Sequence, residues 1–328
     1  MNGYVYVQTN DAAQNEVVVF GRKDDGTLER LGAYLTDGKG SGAPHLPSQS
    51  SVVLVGDRLL VTNAGSDDVT IFALAGDELR MVDRVASGGS APRSVAVHGE
   101  WVYVLNTGGV PSVARLGSSA VALPEGSDPA QVAVTPDGRT LLVTDRAADS
   151  IHAFALGADG ALGERITHES SGATPYGFDV TADGVVVVTE AAGAQVGKAS
   201  ASSYRLDGPA RLAPVSGAVG NTRSEVCWAV VSNDARVAFV TNFGDGTIST
   251  YAIGSDGSIE LREAIAATTV EGQPGIRDEA LSSDGQYLYA LHSDTGQVFG
   301  WKVGAQGALA AIGSANGLPL TAAGLAAS

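Results

Sequence analysis

One short segment recurs along this chain, and the recurrence constrains the fold more than any single residue does. In Gln131–Phe154, three short apolar stretches are joined by two turns, the first of which is Pro136-Asp137-Gly138. Alternating apolar residues on both sides of an Asp-Gly turn predict a β-hairpin. Each copy of the segment therefore predicts a small antiparallel sheet of three or more strands.

A polar residue ends the second strand of each copy and marks its position. Seven such markers occur: Asn10, Asn63, Asn106, Asp145, Glu190, Asn242 and His292. They follow one another at intervals of 39 to 53 residues, and the interval from His292 through the C-terminus to Asn10 is 46. Periods of this size with three or four strands each are typical of propellers. The sequence predicts an all-β, seven-bladed β-propeller.

The two ends of the chain predict how the propeller closes. The first unit begins at its second strand, because no residues before Tyr4 can form a preceding one. The chain ends with small residues in Leu320–Ser328, which suit a crowded innermost strand. We expect this segment to complete the first blade and close the ring. Because repeat folds grow by adding units, we also expect one domain over residues 1–328.

Composition narrows the classes of partner and the compartment. The formal net charge is −16 and the sequence pI is about 4.6, so nucleic acid and anionic membranes are poor partners. Nothing in the sequence supports a protein partner. Cys227 is the only cysteine, so no internal disulfide can form and a reducing compartment fits. The N-terminus lacks the pattern of a signal peptide, and we expect a cytoplasmic protein.

Chemistry is expected at one mouth of the central channel, where the segments entering the inner strands meet the turns after the second strands. Glu190 follows four valines and a threonine and has no basic neighbour in sequence. For a carboxylate beside apolar neighbours at a channel mouth we expect a raised pKa, which suits a general acid or base. Arg277 enters the last inner strand, where a guanidinium can bind a carboxylate or phosphate. We predict Glu190 and Arg277 as the catalytic pair, facing a common cavity.

Other residues at this mouth are candidates for binding the substrate. They are Arg93, Tyr176, Trp228, Asn242, His292 and, from the long connector Asp37–Ser50, His45. Each has a structural alternative: an asparagine after a strand usually forms a turn, and an arginine can brace a loop. The oxygen donors among the markers are suited to Ca²⁺, so a Ca²⁺ site is kept as an alternative. No zinc or EF-hand spacing occurs, so we expect no metal site and no cofactor.

The repeated pattern, seen in VAVTPDGRTLLVTD and ALSSDGQYLYALHSDTGQVFGW, resembles the seven-bladed lactonase family over essentially the whole chain. That family includes propeller 6-phosphogluconolactonases and the 3-carboxy-cis,cis-muconate lactonizing enzyme. The resemblance implies roles for Arg277 and for Glu190 in VVVVTEAAG. It also implies a histidine at the position of Ala130 and an arginine at that of Tyr176, and this chain has neither.

The leading functional hypothesis is an enzyme, either a hydrolase or a cycloisomerase, that opens or forms a lactone. Its substrate is expected to be small, and the sequence does not decide whether the substrate carries an anionic group. One alternative is a non-catalytic propeller that binds a ligand or a protein on the same face. The other is a propeller recruited to a different cyclisation or isomerisation. The sequence leans toward an enzyme without deciding it.

Overall fold

The computed structural model describes residues 2–44, 46, 47 and 49–328, so the candidate His45 lies outside the described residues. The strands form seven four-stranded sheets. These sheets are the blades of a seven-bladed, all-β propeller, and the prediction from the repeat is confirmed.

The strands are numbered along the chain. Blade 1 contains β1 (Tyr4–Gln8), β2 (Glu16–Arg22) and β3 (Leu28–Leu35). Blade 2 contains β4 (Val52–Val55), β5 (Arg58–Asn63), β6 (Asp68–Ala75) and β7 (Glu78–Ala86). Blade 3 contains β8 (Ser90–His98), β9 (Trp101–Gly108), β10 (Ser112–Arg115) and β11 (Val121–Ala122). Blade 4 contains β12 (Pro129–Val134), β13 (Thr140–Asp145), β14 (Ser150–Leu156) and β15 (Leu162–Glu169).

Blade 5 contains β16 (Pro175–Val180), β17 (Val185–Glu190), β18 (Ser200–Leu206) and β19 (Leu212–Gly220). Blade 6 contains β20 (Val226–Val231), β21 (Val237–Asn242), β22 (Thr247–Ile253) and β23 (Ile259–Thr268). Blade 7 contains β24 (Ile276–Leu281), β25 (Tyr287–His292), β26 (Gln297–Val303) and β27 (Leu309–Asn316). The last strand is β28 (Ala323–Ala327). Short 3-10 turns lie at Ala192–Ala194, Phe243–Asp245, Ser293–Thr295 and Ala305–Gly307.

The chain divides into two compact units. The first comprises Met1–Glu125, Asp278–Val303 and Ala310–Ser328, and the second comprises Gly126–Arg277 and Gly304–Leu309. Blades 1 to 3 belong to the first unit and blades 4 to 6 to the second. The expectation of a single domain over 1–328 stays a prediction.

The C-terminal strand β28 pairs with β1, and the sheet order of blade 1 is β28-β1-β2-β3. In this antiparallel pair, Tyr6 lies opposite Ala326. A left-handed turn at Gly324 (φ 72°) brings the strand so close that a Cβ atom there would lie 2.2 Å from the Ser51 hydroxyl. Gly324 therefore has no room for a side chain. The pairing of β28 with β1 is as predicted, and closure of the ring by this segment stays a prediction.

A large aromatic side chain fills the core at the same register position in six blades. On each third strand it lies opposite an apolar residue of the second strand. The six are Phe20, Phe72, Phe154, Tyr204, Tyr251 and Trp301. None is more than 2% exposed. Because a strand turns alternate residues to opposite faces, this spacing packs each sheet against a neighbour.

In the second unit, side chains from the first strand of one blade form hydrogen bonds with the backbone of the first strand of the next blade. Gln131 accepts a hydrogen bond from the Phe178 amide at 2.7 Å and donates one to the Phe178 carbonyl at 2.9 Å. The Asp179 carboxylate accepts one from the Val231 amide at 2.7 Å. These contacts satisfy backbone groups that a bare strand edge would leave open to pairing.

Candidate active site

β-Bulges lie at the start of the first strands and set the direction of the candidate side chains. Among the described strand pairings, five blades have one, at Arg93, Ala130, Tyr176-Gly177, Cys227-Trp228 and Gly324. An extra residue in one strand bends it and re-aims a side chain, and bulges are frequent beside active sites. The bulges therefore distinguish these positions from the rest of each first strand.

Backbone strain accompanies three of the bulges. A non-glycine residue in the left-handed region lies two positions before Arg93, Tyr176 and Cys227. These residues are Ala91 (φ 52°), Thr174 (φ 61°) and Glu225 (φ 52°). Such conformations cost about 1–3 kcal/mol each and cluster at functional sites. The strain marks the entries of these strands as candidates for function.

In the second unit, the bulged residues of blades 5 and 6 meet in one cluster. The rings of Tyr176 and Trp228 make an edge-to-face contact, with centroids 4.9 Å apart and planes at 62°. Cys227 belongs to the same apolar cluster, and Phe243 packs against it half-buried. Tyr176, Cys227 and Trp228 are at most 7% exposed. The structure thus brings together Tyr176 and Trp228, both predicted from the sequence as substrate-binding residues.

Arg277 lies at the edge of this cluster. Its guanidinium carbon is 4.6 Å from the centroid of the Phe243 ring, and the residue is only 6% exposed. A cation over a ring face is attracted by the ring's quadrupole. Arg277 is therefore a mostly buried cation that stacks on the Phe243 ring.

Arg146 is a functional candidate that the sequence analysis missed. Its guanidinium carbon lies 4.6 Å from the Tyr176 ring centroid, and Nη1 donates to the Tyr176 hydroxyl at 2.8 Å. Nη2 donates to the Asp128 carboxylate at 2.7 Å. Burial lowers the pKa of Arg146, but the Tyr176 hydroxyl and Asp128 outweigh that effect and raise the pKa above its usual value.

The repeat itself could have revealed Arg146. Arg146 and Phe243 each follow directly after a marker, Asp145 or Asn242. Each stacks on a residue that enters the first strand of the following blade, Tyr176 or Arg277. In the first pair the residue after the marker is the cation and its partner is the ring. In the second pair the residue after the marker is the ring and its partner is the cation. The signal was the position after the marker, which sequence analysis did not compare between units.

Glu190 is fully buried at the end of β17. Its Oε2 accepts a hydrogen bond from the Ser200 hydroxyl at 2.6 Å, and its Oε1 accepts one from the Gly172 amide at 3.1 Å. Gly172 must lack a side chain, because a Cβ atom would lie 2.5 Å from Oε2. Burial raises the pKa of Glu190, and the hydrogen bonds from Ser200 and neighbouring groups only partly oppose the rise.

The markers of blades 4 and 6, Asp145 and Asn242, are buried and hydrogen-bonded as Glu190 is. The Asn242 amide accepts a hydrogen bond from Asn221 at 2.8 Å and donates one to Ser249 at 2.9 Å. The Asp145 carboxylate lies 3.2 Å from Nε2 of buried His152. Burial alone would raise the pKa of Asp145, but its hydrogen bonds outweigh burial and lower the pKa to about 2. These contacts join strands, and they favour a framework role for the markers.

No described contact joins Glu190 to Arg277 directly. Glu190 contacts Ser200 and Gly172, whereas Arg277 stacks on Phe243. Their assignment as a catalytic pair facing one cavity stays a prediction.

Two substrate-binding candidates lie in the first unit. Arg93 is half-buried at the bulge of blade 3. His292 is fully buried, with Nδ1 3.1 Å from the Thr295 hydroxyl and its ring 6.1 Å from that of Phe299. Their roles, with those of Asn242 and His45, stay predictions.

Two clefts of the second unit lie at the opposite strand ends. They flank the turn at Ala182–Gly184 and have volumes of about 260 and 300 Å³. This turn follows β16, whereas Tyr176 lies at its start, five to six residues or roughly 17–20 Å of strand away. The clefts are therefore separate from the aromatic cluster.

Among the described residues, no three His, Cys, Asp or Glu side chains are grouped to hold a metal ion. Over the same part of the chain, no helix has the length and apolar character needed to span a bilayer.

Comparison with known proteins decides the family. The family model of the lactonase, 7-bladed β-propeller, matches residues 3–110 and 106–193, more than half of the chain. The chain belongs to this lactonase family. No curated protein matches it.

Solved structures share the fold of this lactonase-family chain. A protein from Lactobacillus plantarum has a TM-score of 0.78 at 17% identity, with 100% of this chain and 99% of that chain covered. A putative 6-phosphogluconolactonase from Bacteroides fragilis has 0.73 at 16%, with 100% and 98% covered. The periplasmic gluconolactonase of Pseudomonas aeruginosa has 0.73 at 18%, with 99% of both chains covered. At these identities the likeness concerns the fold.

Proposed function

We propose that this chain is a lactone-processing enzyme, and that hydrolysis of a small lactone is its reaction. Its family and the gluconolactonase-like proteins that share its fold support a lactonase-like function. The cluster of Tyr176, Trp228, Phe243 and Arg277 is the proposed site. The alternative readings, a binding propeller or a different cyclisation, lack a contact that favours them.

One observation carries the proposal: a mostly buried guanidinium stacks on Phe243, and Phe243 packs against the apolar cluster that contains the paired rings of Tyr176 and Trp228. Opening a lactone converts a neutral ester into a carboxylate and a hydroxyl group. Aromatic faces bind the carbon skeleton, and the Arg277 fork binds the carboxylate that forms or one that the substrate already carries. The site therefore offers both parts that the reaction needs.

The test is a panel of lactones, hydroxy acids and unsaturated acids, screened first by thermal shift and then by acid release. A ligand that binds the folded state raises the melting temperature with its concentration. We expect at least one lactone to bind and be opened. If lactones bind but none of them is opened, the proposal of an enzyme is refuted and a binding propeller is favoured.

Arg277→Lys refines the test. Lysine keeps the charge but loses the planar fork, so kcat/KM should fall about tenfold for lactones bearing a carboxylate and less for neutral ones. Arg115→Lys is a matched control, because Arg115 stacks on Trp101 at 4.7 Å in the first unit. An equal effect of the two variants would contradict the assignment of Arg277.

A further inference from the structure

We propose that Tyr176 is the proton-donating residue of this site and that Arg146 is the residue that positions and polarises it. This inference rests on the proposed function and assigns roles within the same site. It starts from the double contact between the two side chains, which stack and are hydrogen-bonded as well.

Contacts to its ring and to its backbone hold Tyr176 in place. Arg146 covers the ring, Trp228 contacts it edge-on, and the Thr144 hydroxyl donates to the Tyr176 carbonyl at 2.5 Å. The backbone before it is strained at Thr174. A side chain held in this way loses little freedom when a substrate binds, which favours catalysis by orientation.

Arg146 is itself fixed, and its charge has a partner. Its guanidinium donates to the Asp128 carboxylate at 2.7 Å, and its backbone amide donates to the Asp128 carbonyl at 3.1 Å. The guanidinium therefore has its hydrogen bonds to Tyr176 and Asp128 already formed, and it is poorly suited to bind a substrate phosphate. We infer that the substrate group at this end of the site is an uncharged oxygen, the carbonyl or ring oxygen of the lactone.

The hydrogen bond has a clear direction. Nη1 of Arg146 donates to the phenol oxygen, so that oxygen acts as an acceptor and its own proton is directed elsewhere. A donated, charge-assisted hydrogen bond stabilises negative charge on the oxygen. Tyr176 is thus a stronger proton donor with Arg146 in place than without it.

Trp228 adds a second donor. Its indole nitrogen is buried and has no hydrogen-bond partner within the described residues, and the residue is only 1% exposed. A buried N–H without a hydrogen-bond partner destabilises the folded protein. A lactone oxygen bound beside Tyr176 would relieve part of that destabilisation.

The proposed step is balanced. Water attacks the lactone carbonyl carbon, and the π electron pair moves to the carbonyl oxygen. As the intermediate collapses, the bond from carbon to the ring oxygen breaks, and the ring oxygen takes the proton of Tyr176. The proton that the attacking water loses then restores the phenol. The products are a hydroxyl group and a carboxylic acid, which ionises near Arg277.

The experiment compares Tyr176→Phe, Arg146→Met, Arg146→Lys and the control Arg115→Met on a neutral lactone that the parent protein opens. Tyr176→Phe should lower kcat about 100-fold, the usual scale for a positioned acid, with little change in KM. Arg146→Met should also move the alkaline limb of the pH–rate profile upward by about one pH unit, because a nearby cation favours the phenolate. Arg146→Lys should restore part of that change, and Arg115→Met should behave as the parent.

A purely structural role would lower the melting temperature without moving the pH profile, and this result would overturn the inference. So would a Tyr176→Phe protein that melts like the parent and keeps its rate, while the proposed function stands. If the parent opens no lactone at all, the proposed function fails, and the inference fails with it.

Discussion

Replacing Glu190 tests whether its carboxylate has a structural role or a catalytic role. The side chain is fully buried, with Ser200 donating to one oxygen and the Gly172 amide to the other. Asn242 ends the second strand of blade 6 as Glu190 ends that of blade 5, and its side-chain amide is hydrogen-bonded to Asn221 and Ser249. We therefore expect Glu190→Gln to fold well, since a glutamine oxygen can accept from Gly172 and its amide can donate to the Ser200 hydroxyl.

The magnitudes follow from the hydrogen bonds. Glu190→Ala leaves two buried donors unsatisfied, at about 1–3 kcal/mol each, so it should cost roughly 2–6 kcal/mol. For a chain of 328 residues that corresponds to a melting temperature lower by roughly 3–9 °C. Glu190→Gln should melt within a few degrees of the parent.

The pH dependence gives a second measure. Burial raises the pKa of Glu190 above its ordinary value of 4.5. The folded state therefore binds the proton more tightly than the unfolded state does. This contribution to stability is complete below pH 4.5 and is lost as pH rises through the folded-state pKa. Glu190→Gln should abolish that loss, which amounts to about 1.4 kcal/mol for each tenfold difference in proton affinity between the folded and unfolded states.

The assay is thermal and urea unfolding of the parent, both Glu190 variants and Asn242→Asp at several pH values, with lactone turnover measured on the same preparations. Asn242→Asp is the reverse exchange and should destabilise, because it removes the amide that donates to Ser249. If Glu190→Gln melts as low as Glu190→Ala, the framework argument is wrong. If it melts like the parent but loses turnover by about 100-fold, Glu190 is the proton-transfer group that the sequence predicted.

Three further outcomes are expected. Deleting Leu320–Ser328 removes β28 and exposes the edge of β1, so the protein should aggregate; a soluble truncation with unchanged melting would contradict this. Gly324→Ala should lower the melting temperature by several degrees, because its left-handed backbone and the nearby Ser51 hydroxyl exclude a Cβ atom. Burial raises the pKa of Asp179 to about 6 from 3.8, so parental stability should fall as pH rises from about 4 to 6, by at most about 3 kcal/mol because the group is partly exposed. Asp179→Asn should remove that fall in urea unfolding, and an unchanged pH dependence would refute the assignment.

The candidate site was only partly predictable. Sequence analysis selected Tyr176, Trp228 and Arg277 because they enter first strands, and the structure places all three in or beside one cluster. It missed Arg146, which lies 30 residues before Tyr176 in the chain. Pairing across blades depends on how neighbouring sheets pack, and within one unit no pattern indicates it; only a comparison between units of the position after each marker points to Arg146.

The sequence by itself determined the repeat, and with it the number of blades, their strands and the pairing of the two chain ends. These features depend on alternation, turn residues and period, which are local properties of the chain and are repeated seven times. Only the tertiary structure decided the surroundings of individual polar groups. Glu190 and Arg277 are both almost fully buried, yet one is enclosed by hydrogen-bond donors and the other lies on an aromatic ring. That difference arises from residues distant in sequence, because burial and electrostatic environment are set by what packs against a side chain.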